Sequence, residues 1–141
     1  ANATGRLGER CVAHFPNENE HWKCLYGEFR AQFISLPFLA ASSQYDSFQL
    51  FTALQHMEPY RPDEWLFIEN FRAAMRSALS NLPKGRSVFS TGCWAHCLTE
   101  TELFWERPIV EETTGLTINM RDLITMTIFK NNFDSKSFGA K

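Results

Sequence analysis

Two short apolar runs, residues 36–41 and 87–90, flank one long segment of helical periodicity. In that segment Phe67, Phe71, Ala74, Met75, Ala78 and Leu82 recur at the three- and four-residue spacing that lines one side of a helix. Glu69, Arg72 and Arg76 populate the other side. Asp63, following Pro62, supplies a cap, and Asn81-Leu82-Pro83-Lys84-Gly85 supplies a stop. A strand, a long helix and a second strand cannot close as a hairpin. The helix must carry the chain back to the edge where the first strand began, so the strands run parallel through a right-handed connection. The expected fold is therefore α/β, a parallel sheet with crossover helices. Its first strand is buried on both faces and tolerates Pro37 only near its start.

Around this frame, residues 1–26 read as a polar loop segment carrying Cys11 and Cys24, and 27–34 as a short helix or an extended lead-in. Residues 45–57 form a turn and a short helix, ended by Glu58-Pro59-Tyr60-Arg61-Pro62. Residues 102–110 are aromatic and irregular. Thr117 caps a last helix whose apolar stripe is Met120, Leu123, Ile124 and Ile128, and residues 131–141 form a polar tail expected to fray. The whole chain, 1–141, fits within one domain. Its thirteen phenylalanines and four tryptophans serve a core first.

A net charge of -2 gives no field that would gather nucleic acid or an acidic membrane surface. No apolar stretch approaches the roughly 18 residues of a membrane span. Ala1-Asn2-Ala3-Thr4-Gly5 lacks the basic and apolar regions of a signal peptide, as a secreted chain does after processing. Asn2-Ala3-Thr4 is a glycosylation sequon, which makes Asn2 a candidate site.

The chemistry-bearing residues fall just past the two predicted strands. Asp46 sits in Tyr45-Asp46-Ser47-Phe48-Gln49, and His96 in Gly92-Cys93-Trp94-Ala95-His96-Cys97-Leu98-Thr99-Glu100. The C-terminal edge of an open α/β sheet is where catalytic groups gather. An acid followed by a histidine at successive strand ends is two thirds of a charge-relay triad. The third member, a serine on a Gly-x-Ser-x-Gly turn, belongs upstream of both, and this sequence has no such turn. Trp94, with Phe104 and Trp105, offers aromatic surface that could line a cleft near His96 or pack inside. His14, His21 and His56 match nothing catalytic and are expected to be solvated. Cys11-x-x-His14 with His21-x-x-Cys24 can be drawn as a zinc site or as one disulfide, and the four cysteines lean towards an oxidising compartment.

These stretches resemble the C-terminal third of the pectin acetylesterase family, which includes the Notum carboxylesterases. The resemblance is carried by Tyr45-Asp46-Ser47-Phe48-Gln49, by Cys93-Trp94-Ala95-His96-Cys97-Leu98-Thr99-Glu100, by Thr117 with its following helix, and by the Cys11 to Cys24 interval. Two cysteines flanking the histidine make it more similar to the plant enzymes.

The resemblance implies the C-terminal part of an α/β-hydrolase-like fold, incomplete without an upstream portion. It implies a secreted serine carboxylesterase that removes O-acetyl esters from cell-wall polysaccharide without metal or organic cofactor. In that scheme Asp46 is the triad acid and His96 the base, and nothing here matches the nucleophile or the oxyanion hole. It also implies a disulfide-rich fold, with a Cys11–Cys24 bond, and with Cys93 and Cys97 bridged to each other or to the upstream portion. The alternative is an inactive family remnant serving as a structural or binding subunit. Either way an isolated half-sheet leaves a strand edge and apolar surface open, so a partner is expected to cover them.

Overall fold

The computed structural model describes residues 7–100, 102–111, 114–129 and 136–139. The chain divides into two compact units, residues 1–37 and 38–141. The expected loop segment at the start is helical instead. It holds α1 (Glu9–His14) and a 3-10 helix over Glu18–Leu25; beyond it, of the two forms expected for residues 27–34, the helical one is found, as α2 (Gly27–Arg30) and a 3-10 turn over Ala31–Phe33. A 3-10 helix repeats every three residues, so it leaves no 3.6-residue signal in the sequence.

A disulfide joins Cys11 to Cys24, and these two residues with Leu7 form a small core closed by Val12, Phe15 and Phe33. The cysteine sulfurs are thus bonded to each other, and the neighbouring histidines, His14 exposed as expected and His21 half-buried, also make contacts within the unit. His21 Nε2 lies 3.0 Å from the carbonyl of Phe15, and the His14 ring packs on Phe15 and Phe33.

The second unit is built on β1 (Phe38–Asp46), α3 (Ser47–Leu54), α4 (Pro62–Ser80) and β2 (Arg86–Ala95). As expected, β1 and β2 pair in parallel, in register from Phe38 opposite Arg86 to Ser43 opposite Thr91. Both strands outrun their apolar cores. β1 continues through Ser42, Ser43 and Gln44, and β2 through Thr91 and Gly92, polar or flexible residues that carry no hydrophobic signal. β1 is not buried along its length: only Ser43, Gln44 and Tyr45 are enclosed.

The tail also departs from expectation. Residues Lys136–Phe138 form β5, which pairs in parallel with β2 to give the order β1-β2-β5. Before it come α5 (Glu102–Glu106), a small antiparallel ribbon of β3 (Ile109–Val110) and β4 (Thr117–Ile118), and α6 (Met120–Phe129). Thr117 is spent in that ribbon, opposite Val110. Asn119 caps α6 instead, its side chain accepting from the Asp122 amide at 2.8 Å.

Phe89 is fully buried in β2 and meets Phe104 edge-on, with Met120 and Leu123 completing the cluster. Deleting such a ring removes its transfer energy and leaves a cavity. Phe89→Ala is therefore expected to cost about 3–5 kcal/mol in chemical denaturation, with an unchanged denaturant slope.

Helix α4 is turned differently from its apolar pattern. Ile68 is buried, whereas Leu66 and Phe67 are 65% and 43% exposed. Glu69, Arg72 and Arg76 reach the sheet: Tyr45 donates to Glu69 at 2.9 Å, and both arginines donate to the Gln44 side-chain oxygen at 3.0 and 3.1 Å. The Gln44 amide in turn donates to the carbonyls of Ser90 and Gly139. The strand presents polar atoms that must be satisfied once buried, and they draw the charged side of the helix inward.

Pro62 occupies the first helical position, which moves the cap to Arg61 and leaves Asp63 inside the first turn. Glu64, almost fully buried, accepts the Arg61 amide at 2.8 Å and His56 Nε2 at 2.9 Å, and pairs with the Arg61 guanidinium. The charged groups facing His56 are thus Glu64 and Arg61, and Tyr60 lies against its ring. The hydrogen bond that His56 donates to Glu64, helped by the Met57 carbonyl, raises the His56 pKa above its ordinary 6.5. The Arg61 amide and then His56 hold Glu64 below its ordinary 4.5.

A raised histidine stabilises the fold fully below 6.5 and loses that contribution as pH rises through the raised value. A lowered carboxylate stabilises above 4.5 and loses it on acidification. The pair is therefore strongest between those two values. His56→Ala is expected to lower the melting temperature more at pH 5.5 than at pH 9, read by circular dichroism in both buffers.

Candidate active site

Asp46 is the last residue of β1 and the N-cap of α3, its carboxylate accepting the Gln49 amide at 2.9 Å. Aspartate is favoured here because a side-chain oxygen satisfies an amide the first turn leaves open. One residue beyond β2 stands His96. Its position depends on an irregularity in the sheet: Ser43 faces Thr91, but Tyr45 faces Trp94, so β2 spends one residue more than β1 over this stretch. The Ser43 hydroxyl braces the irregularity, donating to the Cys93 carbonyl and accepting the Tyr45 amide. The extra residue sets Asp46 opposite Ala95, and the chain then turns with Cys97 at a positive φ of 50°.

His96 Nδ1 lies 2.9 and 3.1 Å from the two carboxylate oxygens of Asp46. The Asp46 side chain is 16% exposed and that of His96 44%. Partial burial pushes the Asp46 pKa upward, but the Gln49 amide and then His96 outweigh it and hold the carboxyl below its ordinary 3.8. An ionised carboxylate at Nδ1 favours the tautomer that carries its proton there, and Nε2 has no hydrogen-bond partner among the described residues.

Phe48, in the first turn of α3, lays its ring on the imidazole at a centroid distance of 5.0 Å and an angle of 28°. In the sequence Phe48 stands within the Asp46 motif with no polar group to mark it. A large apolar side chain two positions after a helix-capping acid is the signal that could have found it.

Trp94 is half-buried and packs against other rings. It stacks on Tyr45 and Tyr60 and receives Trp65 edge-on, in the cluster around Leu50 and Ile68. Trp105 is likewise engaged, meeting buried Phe104 edge-on and donating to the Thr99 carbonyl.

Cys93 and Cys97 are free, exposed thiols rather than a bridge. Asn2 lies outside the described residues. Among the described residues no three histidine, cysteine or acidic side chains cluster as metal ligands, and no helix is long and apolar enough to cross a membrane.

Neither a curated protein nor a solved structure matches the chain. A family model does, over residues 1–125, a span that takes in the disulfide-bearing unit, both long parallel strands, Asp46 and His96. That family is named for an esterase activity, and a mixed fold of parallel strands and crossover helices is consistent with part of its α/β architecture. With most of its length matched, the chain belongs to the pectinacetylesterase family.

Proposed function

We propose that this chain supplies the acid and the base of a secreted serine carboxylesterase that removes O-acetyl groups from cell-wall polysaccharide. The observation that carries the reading is the Asp46–His96 contact at 2.9 Å, at the C-terminal ends of two adjacent parallel strands. Family membership supports an ester substrate, and the Cys11–Cys24 bond is compatible with a secretory route.

In the proposed cycle, a serine from an upstream portion of the enzyme attacks the acetyl carbonyl, and His96 Nε2 takes its proton. The tetrahedral intermediate collapses, the bond to the sugar oxygen breaks, and the same proton passes from His96 to that oxygen. Water then attacks the acetyl-serine, gives His96 a proton, and acetate leaves as the serine is reprotonated. Asp46 keeps the imidazole in one tautomer and stabilises the imidazolium present in each half-reaction.

A second reading is an inactive family remnant acting as a structural or binding subunit. Intact masses of the native preparation, without and with reductant, separate the two. A companion polypeptide bearing that turn, together with hydrolysis of a model acetyl ester, supports the esterase. A lone 16.3 kDa species without turnover supports the remnant.

A further inference from the structure

We infer that Phe48 is a positioning residue for His96, an inference that rests on reading Asp46 and His96 as acid and base. The imidazole is nearly half exposed, and its contact with Asp46 is made through Nδ1 alone. That contact fixes one corner of the ring and leaves the plane free to swing about the N–O line. The Phe48 ring removes that freedom by lying nearly parallel against the face of the imidazole. A phenylalanine serving only the core would be enclosed, yet Phe48 is 59% exposed and spends its contact on His96.

Both restraints arise from one short stretch. Asp46 caps α3, and Phe48 stands in the turn that this cap begins. The helix start therefore delivers carboxylate and aromatic face as one rigid unit, and Nε2 keeps a single heading.

The test compares Phe48→Leu with Phe48→Tyr in the native assembly. Leucine preserves helix propensity and apolar character while removing the flat face, and tyrosine retains it. An aromatic pair of this kind is worth a rate factor of about three to ten. Phe48→Leu is expected to lower kcat on a model acetyl ester by that factor at unchanged KM, and Phe48→Tyr to restore it. In parallel, NMR should show one χ1 rotamer and ring-current-shifted imidazole protons for His96 in the wild type and in Phe48→Tyr, and rotamer averaging in Phe48→Leu.

A rise in KM at constant kcat would make the ring a substrate contact and overturn the inference. So would an unaltered His96 rotamer in Phe48→Leu. An assembly with no turnover in any form would sink the esterase reading instead, and the rotamer measurement would still decide the role of Phe48.

Discussion

Turnover of a model acetyl ester by the complete enzyme is expected to fall by about four to six orders of magnitude in His96→Ala, as losses of a triad base generally do. Serine is a poor nucleophile while it holds its proton, and the only unengaged imidazole nitrogen placed beside a carboxylate in this fold is Nε2 of His96 among the described residues. The loss should fall on kcat, because the histidine acts on protons in flight rather than on the bound ester. The fold should survive, since the side chain is 44% exposed and lies beyond the end of β2. Equal melting temperatures with collapsed kcat would establish the role. Near-normal turnover would show that another group is the base.

Asp46→Asn should lower kcat by about three to four orders of magnitude. The interest lies in what it leaves intact. Asparagine caps helices as well as aspartate does, so the Gln49 amide keeps an acceptor and α3 keeps its start. What disappears is the negative charge, and with it the preference for a proton on Nδ1 and the partner of the imidazolium. Asp46→Ala should add a stability loss of about 1 kcal/mol from the missing cap. A pair of variants equal in turnover but different in thermal midpoint would separate the two duties of one carboxylate. If Asp46→Asn retained most of its activity, the acid would have to be sought elsewhere.

The parts of the fold that could be read from sequence are those where burial is apolar. Val88 and Phe89 betray β2, Phe38 and Leu39 betray β1, and the long periodic segment between them requires a crossover. The site was legible for a related reason: Asp46 and His96 follow those runs directly, in segments resembling a known family. What escaped is held by hydrogen bonds. Gln44 is fully buried among two arginines and two carbonyls, and a polar residue in a strand looks like a loop. Its demand for partners also turned α4 away from its apolar stripe. The extra residue in β2 left no trace because Gly92 and Cys93 signal a turn as readily as a strand irregularity. β5 is three residues long and depends on pairing with β2, which local pattern cannot show.

The double employment of Asp46 bears on how such a chain would age. A lineage that stopped cleaving esters would release His96 to mutate freely, whereas Asp46 would still be required to begin α3. The two positions would then diverge at different speeds, the acid outlasting the base. Among chains of this kind, a retained aspartate beside a replaced histidine would be the expected trace of a lost esterase.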